Sequence, residues 1–131
     1  MKMRRNRDFP TLPMPELRLY HSQRKCERFL KRHGIPFEPI AGADAQTWTF
    51  ADTSGSYAVV LYDADPMQSY GNDIGMLAHE ATHVMLYALD SIGETEPSEE
   101  EMCYVTQAVT QWLCEAHFSW KEKKISVRND A

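Results

Sequence analysis

The segment Leu77-Ala78-His79-Glu80-Ala81-Thr82-His83-Val84 lies in the longest apolar region of the chain, residues 74–89, and predicts the central helix of the fold. Side chains four residues apart share one face of a helix, so His79 and His83 can bind the same metal ion. Zinc accepts imidazole nitrogens as ligands at about 2.0–2.1 Å. Glu80 is rotated away from the metal but can reach a water in an open coordination position. The segment therefore predicts a catalytic zinc site with Glu80 as the general base.

The apolar residues around this motif support the metal site. They occupy nearly every side of the helix, which is typical of a buried helix. Two histidines and a glutamate in its interior would be costly without a metal or other partners. We expect this helix to begin at Asn72 or Asp73, either of which can cap it, and to continue through Leu89.

The remaining elements predict an α+β fold. A short alternating strand is followed by a helix that Ser22 caps and Gly34 ends. Two strands rich in β-branched and aromatic residues flank the turn 52–56, which predicts a hairpin. Pro97-Ser98 opens a second long helix that runs to about Trp120. The predicted strands are 17–20, 46–51 and 57–62, and the core positions of the last helix are Met102, Val105, Val109, Leu113 and Ala116.

The length of the chain, 131 residues, predicts one domain, and its 43% of hydrophobic residues suffices for one core. Three prolines in residues 1–15 predict an extended basic arm, and residues 121–131 predict a polar, frayed tail. Polar residues interrupt the apolar region before it reaches the roughly 18 residues of a membrane span. Because no apolar segment follows the basic N-terminus, no signal peptide is expected, and the prediction is a cytoplasmic protein without a membrane partner.

The charges of the chain are unevenly divided. All 14 Lys and Arg lie in residues 2–32 and 121–128. The two ends, residues 1–32 and 121–131, also contain 5 acidic residues and together carry a net charge of +9. Residues 33–120 carry 14 acidic residues and no Lys or Arg. Such a block repels phosphates, so nucleic acid is not an expected partner, and basic arms are usually just solvated.

The three cysteines, Cys26, Cys103 and Cys114, predict a reducing compartment, because their odd number and wide spacing argue against a disulfide framework. Cys103 and Cys114 are eleven residues apart in the predicted last helix. We expect both to face one side of it as small apolar residues.

The motif and its flanks resemble the active-site helix of zincin metallopeptidases, particularly the small stand-alone zincin domains encoded by phages and prophages. The resemblance covers residues 45–118. It implies a small, mostly antiparallel sheet packed on the motif helix, with the long C-terminal helix beside it. It also implies a zinc-dependent enzyme that hydrolyses peptide bonds in a peptide or protein substrate. Leu86 and Leu89 stand where the longer metzincin motif has Gly and a third His, which excludes that class.

The gluzincin branch of this family takes its third zinc ligand from a glutamate on a following helix, and the resemblance offers Glu99, Glu100 and Glu101. Ser98 and Glu101 fit a capping box, which gives Glu101 a structural role. Glu100 precedes Tyr104 by four residues, as in the gluzincin pattern. We therefore predict Glu100 as the third ligand, with Glu101 and then Glu99 as alternatives. Acidic residues at a helix start also simply complement the helix dipole.

Tyr104, His21 and His117 are weaker candidates. Tyr104 can donate to a developing oxyanion, but a Tyr on an amphipathic helix is more often a core residue. Either histidine can polarise a carbonyl, yet a His without a spacing partner is more often a surface or satisfied core residue. The alternative to an enzyme is a zinc-stabilised structural or adaptor protein, although a structural site would gain nothing from Glu80 as a base.

Overall fold

A computed structural model describes residues 13–130 and confirms an α+β fold of three strands and three helices. The predicted arm, residues 1–15, lies mostly outside the described residues. No helix between residues 13 and 130 is both long and apolar enough to cross a membrane. In chain order the elements are β1 (Glu16–Tyr20), α1 (Gln23–Arg32), β2 (Ala45–Asp52), β3 (Gly55–Tyr62), α2 (Tyr70–Ser91) and α3 (Glu99–Asp130).

The sheet is mixed and has the strand order β1-β3-β2. The predicted hairpin is confirmed: β2 and β3 pair antiparallel, with Asp52 opposite Gly55 across a turn of two residues. β1 joins the other edge of β3 and runs parallel to it, with Glu16 opposite Tyr57. The prediction of a mostly antiparallel sheet was therefore wrong for β1. The reason is that α1 and the segment after it carry the chain to the far edge of the sheet, where β2 lies, and β3 then returns between β2 and β1.

The central strand β3 is buried on both faces, since the helices cover the sheet from both sides. Ala58, Val60 and Tyr62 face α2 and α3 and belong to the larger core. The alternate residues Tyr57, Val59 and Leu61 pack against Cys26, Phe29 and Leu30 of α1. The period of two along a strand explains this division.

Helix α2 begins one turn earlier than predicted. Its cap is Ser69, whose hydroxyl accepts a hydrogen bond from the backbone N–H of Asn72 at 3.1 Å. Asp73, a predicted cap, is instead fully buried. The expectation that α2 is buried on nearly every side was also wrong, because Ile74 is 46% and Leu86 54% exposed.

Helix α3 is longer than predicted and lies antiparallel to α2. Ser98 caps it as expected, with its hydroxyl accepting from the N–H of Glu101 at 3.1 Å. The helix does not end near Trp120 but continues through Asp130. The prediction of a frayed tail was wrong because Lys121 turns into the core and is buried there. The predicted core positions Val105, Val109, Leu113 and Ala116 are all buried, and Met102 packs against them.

The two cysteines of α3 do not share a buried face. Cys103 is exposed, whereas Cys114 is partly buried, and both are free thiols, as is the buried Cys26. The eleven-residue spacing places them on similar sides of the helix, but of the two only Cys114 packs against the core.

Candidate functional site

The two motif histidines lie next to each other on the exposed face of α2. The ring centroids of His79 and His83 are 5.1 Å apart, with an angle of 71° between the ring planes. Two imidazoles bound to one tetrahedral zinc at ordinary Zn–N distances have centroids about 5 Å apart. The placement of the rings is therefore compatible with a shared metal ion. Their exposure also means that no burial cost demands one, contrary to the expectation from sequence.

Glu80 lies on the same helix turn but is buried, with 3% of its surface exposed. The Thr47 hydroxyl on β2 donates a hydrogen bond to Oε2 of Glu80 at 2.5 Å. Two turns further along α2, the hydroxyls of Tyr87 and Ser56 lie 2.9 Å apart. These two contacts fix α2 against the hairpin, so the carboxylate of Glu80 is held in one position.

His79, Glu80 and His83 line one cleft of about 360 Å³. Its opposite wall is the start of β2, with Ala45, Gln46, Thr47 and Thr49, and the preceding loop, with Ile40 and Ala43. Gln46 ties that loop to the strand, because its side chain accepts from the N–H of Ile40 at 2.8 Å and donates to the carbonyl of Glu38 at 3.3 Å. The structure thus brings the three motif residues to the edge of the sheet.

The predicted third ligand, Glu100, is not brought to the histidine pair. It lines a separate cleft with Glu94, Ser98 and Tyr104 beside the end of α2. That end, Ser91, lies eight residues, or about 12 Å of helix, beyond His83. Antiparallel packing is the cause, because it places the start of α3 next to the end of α2.

Within residues 13–130, no group of three His, Cys, Asp or Glu side chains is arranged to hold a metal. The alternatives Glu99 and Glu101 are exposed at the start of α3, close to Glu100. Tyr104, expected to be a core residue, is 62% exposed. The donors that the described residues offer to a metal at this site are therefore two imidazoles, with the carboxylate of Glu80 nearby.

The structure also places a polar cluster in the core that sequence reasoning did not find. Tyr62, Asp73 and His117 are completely buried, and Lys121 is 1% exposed. Lys121 Nζ and the Tyr62 hydroxyl both donate to the Asp73 carboxylate, the latter at 2.7 Å. His117 and Lys121 are four residues apart in the sequence, one helical turn, which was the available signal.

A chain of two imidazoles connects this cluster to the surface. His117 Nε2 lies 3.1 Å from Asp73 Oδ2. On the other side of the ring, His117 Nδ1 is 2.9 Å from His21 Nε2. The two histidines that lacked a spacing partner in the sequence are thus partners of each other.

Burial and hydrogen bonding shift the pKa values in this cluster in different directions. Burial favours neutral Asp73, but the hydrogen bonds from Lys121 and Tyr62 outweigh it, and the pKa of Asp73 is lowered. Burial lowers the pKa of His117 despite the nearby Asp73. Burial and the His117 ring together lower the pKa of His21 to about 3. At neutral pH the two imidazoles are therefore uncharged, and Asp73 and Lys121 form the charged pair.

Comparisons of the chain with protein families, with curated proteins and with solved structures gave no significant match.

Proposed function

We propose that the protein is a zinc-dependent metallopeptidase with a zincin-like site, in which His79 and His83 hold the zinc and Glu80 is the general base. The observation that supports this function is the position of Glu80. Glu80 lies between the two histidines in the sequence and lines the same cleft. Its carboxylate is held by the hydrogen bond from Thr47. A buried carboxylate in contact with a cleft is suited to proton transfer, because its position varies little.

The edge of the sheet favours a peptide as the substrate. Among the described strands, β2 pairs only with β3, so its outer backbone groups are available to an extended peptide. The cleft with the histidines lies along this strand, at Ala45, Gln46, Thr47 and Thr49. A peptide that paired with β2 would pass the motif residues. The cleft belongs to the acidic part of the chain, so basic or neutral peptides should enter it more readily than acidic ones.

The chemistry divides between the metal and the chain. When bound, zinc supplies a Lewis acid that polarises a carbonyl and makes water more acidic. Glu80 accepts a proton from water on one carboxylate oxygen and passes it to the leaving amine. Thr47 holds the other oxygen and thereby acts as a positioning residue. The wall formed by β2 orients the peptide.

The experiment that tests this function compares wild type with Glu80→Gln, after elemental analysis of the zinc content of both. We expect each protein to bind about one equivalent of zinc, and the variant to lose hydrolysis by roughly a hundredfold to ten-thousandfold, since an amide cannot act as a base. Mass spectrometry of a peptide library biased toward basic residues reads the cleavage. Thr82→Ala, an exposed change between the two histidines, is the matched control and should retain activity.

A zinc-stabilised adaptor is the second candidate function, and the two-histidine donor set favours it. Residues 13–130 supply no third ligand near the pair, which suits a site that recruits its remaining ligand from a partner protein. The two candidates give different results. If zinc binds through His79 and His83 but the wild-type protein cleaves no more peptides than the Glu80→Gln variant does, the adaptor is the correct function. If the His79→Ala, His83→Ala protein still binds zinc stoichiometrically, both candidates are wrong.

A further inference from the structure

A second cleft lies where the start of α1 meets the last third of α3. Its volume, about 420 Å³, falls in the range of small-molecule sites. Polar and aromatic side chains from both helices and from the end of β1 line it: His21, Ser22, Lys25, Trp120, Lys123 and Lys124. None of its lining residues belongs to the histidine cleft. A ligand here would therefore be independent of the proposed peptidase site.

The charge of this second cleft is positive. Of residues 13–130, Lys25, Lys123 and Lys124 line it, and no Asp or Glu does. In the part of the chain that the structure describes, none of the three lysines forms an ion pair with a carboxylate. The chain as a whole carries a net charge of −5, so this is a local concentration of cations rather than a general property of the surface.

The start of α1 adds to the positive potential. Its first turn contains Arg24 and Lys25 but no acidic residue, although acidic residues are favoured at this end of a helix dipole. Ser22 satisfies the N–H of Lys25 at 3.3 Å, which leaves the N–H groups of Gln23 and Arg24 without helical partners. Helix dipole and lysines therefore act in the same direction, and a bound anion would offset both.

The inner wall of the cleft is aromatic and fixed. The rings of His21 and Trp120 stack with centroids 4.0 Å apart and planes within 3° of parallel. His21 is held from behind by His117, which in turn contacts the buried Asp73. His21 is uncharged at neutral pH, so the lysines carry the charge and the stacked rings provide a preorganised surface for the organic part of a ligand.

We propose that this cleft binds a small molecule carrying a phosphate monoester. Three lysines and a helix start match a dianion better than a single carboxylate, and charge-assisted hydrogen bonds to phosphate are strong. The lysines hold the phosphate, while His21 and Trp120 contact the remainder of the molecule. The volume of the cleft limits that remainder to a small organic group.

The test is a titration of the full chain with inorganic phosphate and with phenyl phosphate, followed by two-dimensional NMR of the backbone amides and the Trp120 indole. We expect saturable shifts at Ser22, Lys25 and Trp120, with phenyl phosphate binding more tightly than inorganic phosphate. Sodium chloride at equal ionic strength should not reproduce them. Shifts spread over the surface, or no saturation, would overturn the proposal.

A pair of charge reversals on one helix provides the matched control. Lys25→Glu should weaken phenyl phosphate binding by about tenfold or more, whereas Lys31→Glu, exposed in the last turn of α1, should change it by less than about twofold. Lys123→Glu repeats the test on α3 if Lys25→Glu fails to fold. Equal effects of the Lys25 and Lys31 changes would refute the site. A short single-stranded oligonucleotide that displaces phenyl phosphate and binds more tightly would refute the small-molecule ligand in favour of nucleic acid.

Discussion

Lys121 Nζ and Asp73 Oδ2 are in direct contact inside the core, although 48 residues separate them in the sequence. Asp73 lies in the first turn of α2, and Lys121 lies in the last third of α3. The same ammonium group also donates to the backbone carbonyl of Gln68, just before α2. This one side chain therefore joins the end of α3 to the segment that opens α2.

The first prediction concerns this buried pair. Lys121→Met keeps the length and the apolar stem of the side chain but leaves the Asp73 carboxylate buried without its cation. Breaking a buried pair in this way typically costs about 3–5 kcal/mol. We expect a loss of that size in the free energy of unfolding, measured by urea denaturation.

The control for Lys121→Met is Lys124→Met, one turn further along α3, where the lysine is exposed. An exposed substitution should change the stability by no more than about 0.5 kcal/mol. Equal stabilities of the two variants would show that the Asp73–Lys121 contact contributes nothing to the free energy of unfolding.

The second prediction concerns acid stability. The pKa of His21 is about 3 in the folded chain and 6.5 in its ordinary state. Between these values the unfolded chain binds a proton that the folded chain does not, so stability is full above pH 6.5 and falls as the pH drops toward 3. His117 and Asp73, whose pKa values are also lowered, act in the same direction, and Asp73 contributes at the acidic end of the range.

His21→Phe tests this prediction, because it keeps an aromatic ring against Trp120 and removes the titrating group. Thermal unfolding of metal-free protein at a series of pH values should show a shallower loss of stability below pH 6.5 for this variant. His79→Phe, on the exposed face of α2, should retain the wild-type slope. An unchanged slope for His21→Phe would contradict the buried, neutral state of His21.

The third prediction concerns Thr47. Thr47→Val removes the hydroxyl that donates to Glu80 and leaves a buried carboxylate oxygen unsatisfied, at a cost of about 1–3 kcal/mol. If Glu80 is the base, hydrolysis should fall more than zinc binding does. Thr49→Val is the matched control, since Thr49 lines the same cleft but is exposed. We expect urea denaturation to show a larger loss in the free energy of unfolding for Thr47→Val than for Thr49→Val.

The fourth prediction tests whether Glu100 is a zinc ligand, as the resemblance to gluzincins implies, or takes no part in zinc binding. In the conformation described here Glu100 is remote from the histidines, so Glu100→Gln should leave zinc affinity unchanged, as should Glu101→Gln. Competition with a chromogenic chelator measures the affinity. Loss of zinc by Glu100→Gln alone would establish the gluzincin ligand set and require α3 to move relative to α2.

Local signals predicted most of the fold correctly. The hairpin follows from alternating β-branched and aromatic residues around a turn, and Ser22 and Ser98 cap their helices through contacts three residues away. The errors concern long-range contacts. Nothing local distinguishes a strand that pairs parallel to β3 from one that pairs with β2, and the polar composition after Trp120 does not reveal that Lys121 is buried by Asp73.

The candidate site was likewise predictable from the sequence only where it depends on local spacing. The positions of His79, Glu80 and His83 follow from helical spacing alone. The hydrogen bond from Thr47 and the position of Glu100 depend on how β2 and α3 pack against α2, and no spacing rule contains that information. The link between His21 and His117 spans 96 residues and is equally beyond local patterns.

The parallel pairing of β1 with β3 has a consequence for the order of folding. The β2–β3 hairpin and the α2–α3 pair each join neighbouring segments, whereas Glu16 must find Tyr57 across about 40 residues, and closing that loop costs more chain entropy. We expect the hairpin and the helix pair to form first and β1 to be added last. A conservative substitution in β1, such as Leu17→Ala, should then accelerate unfolding and leave the folding rate nearly unchanged.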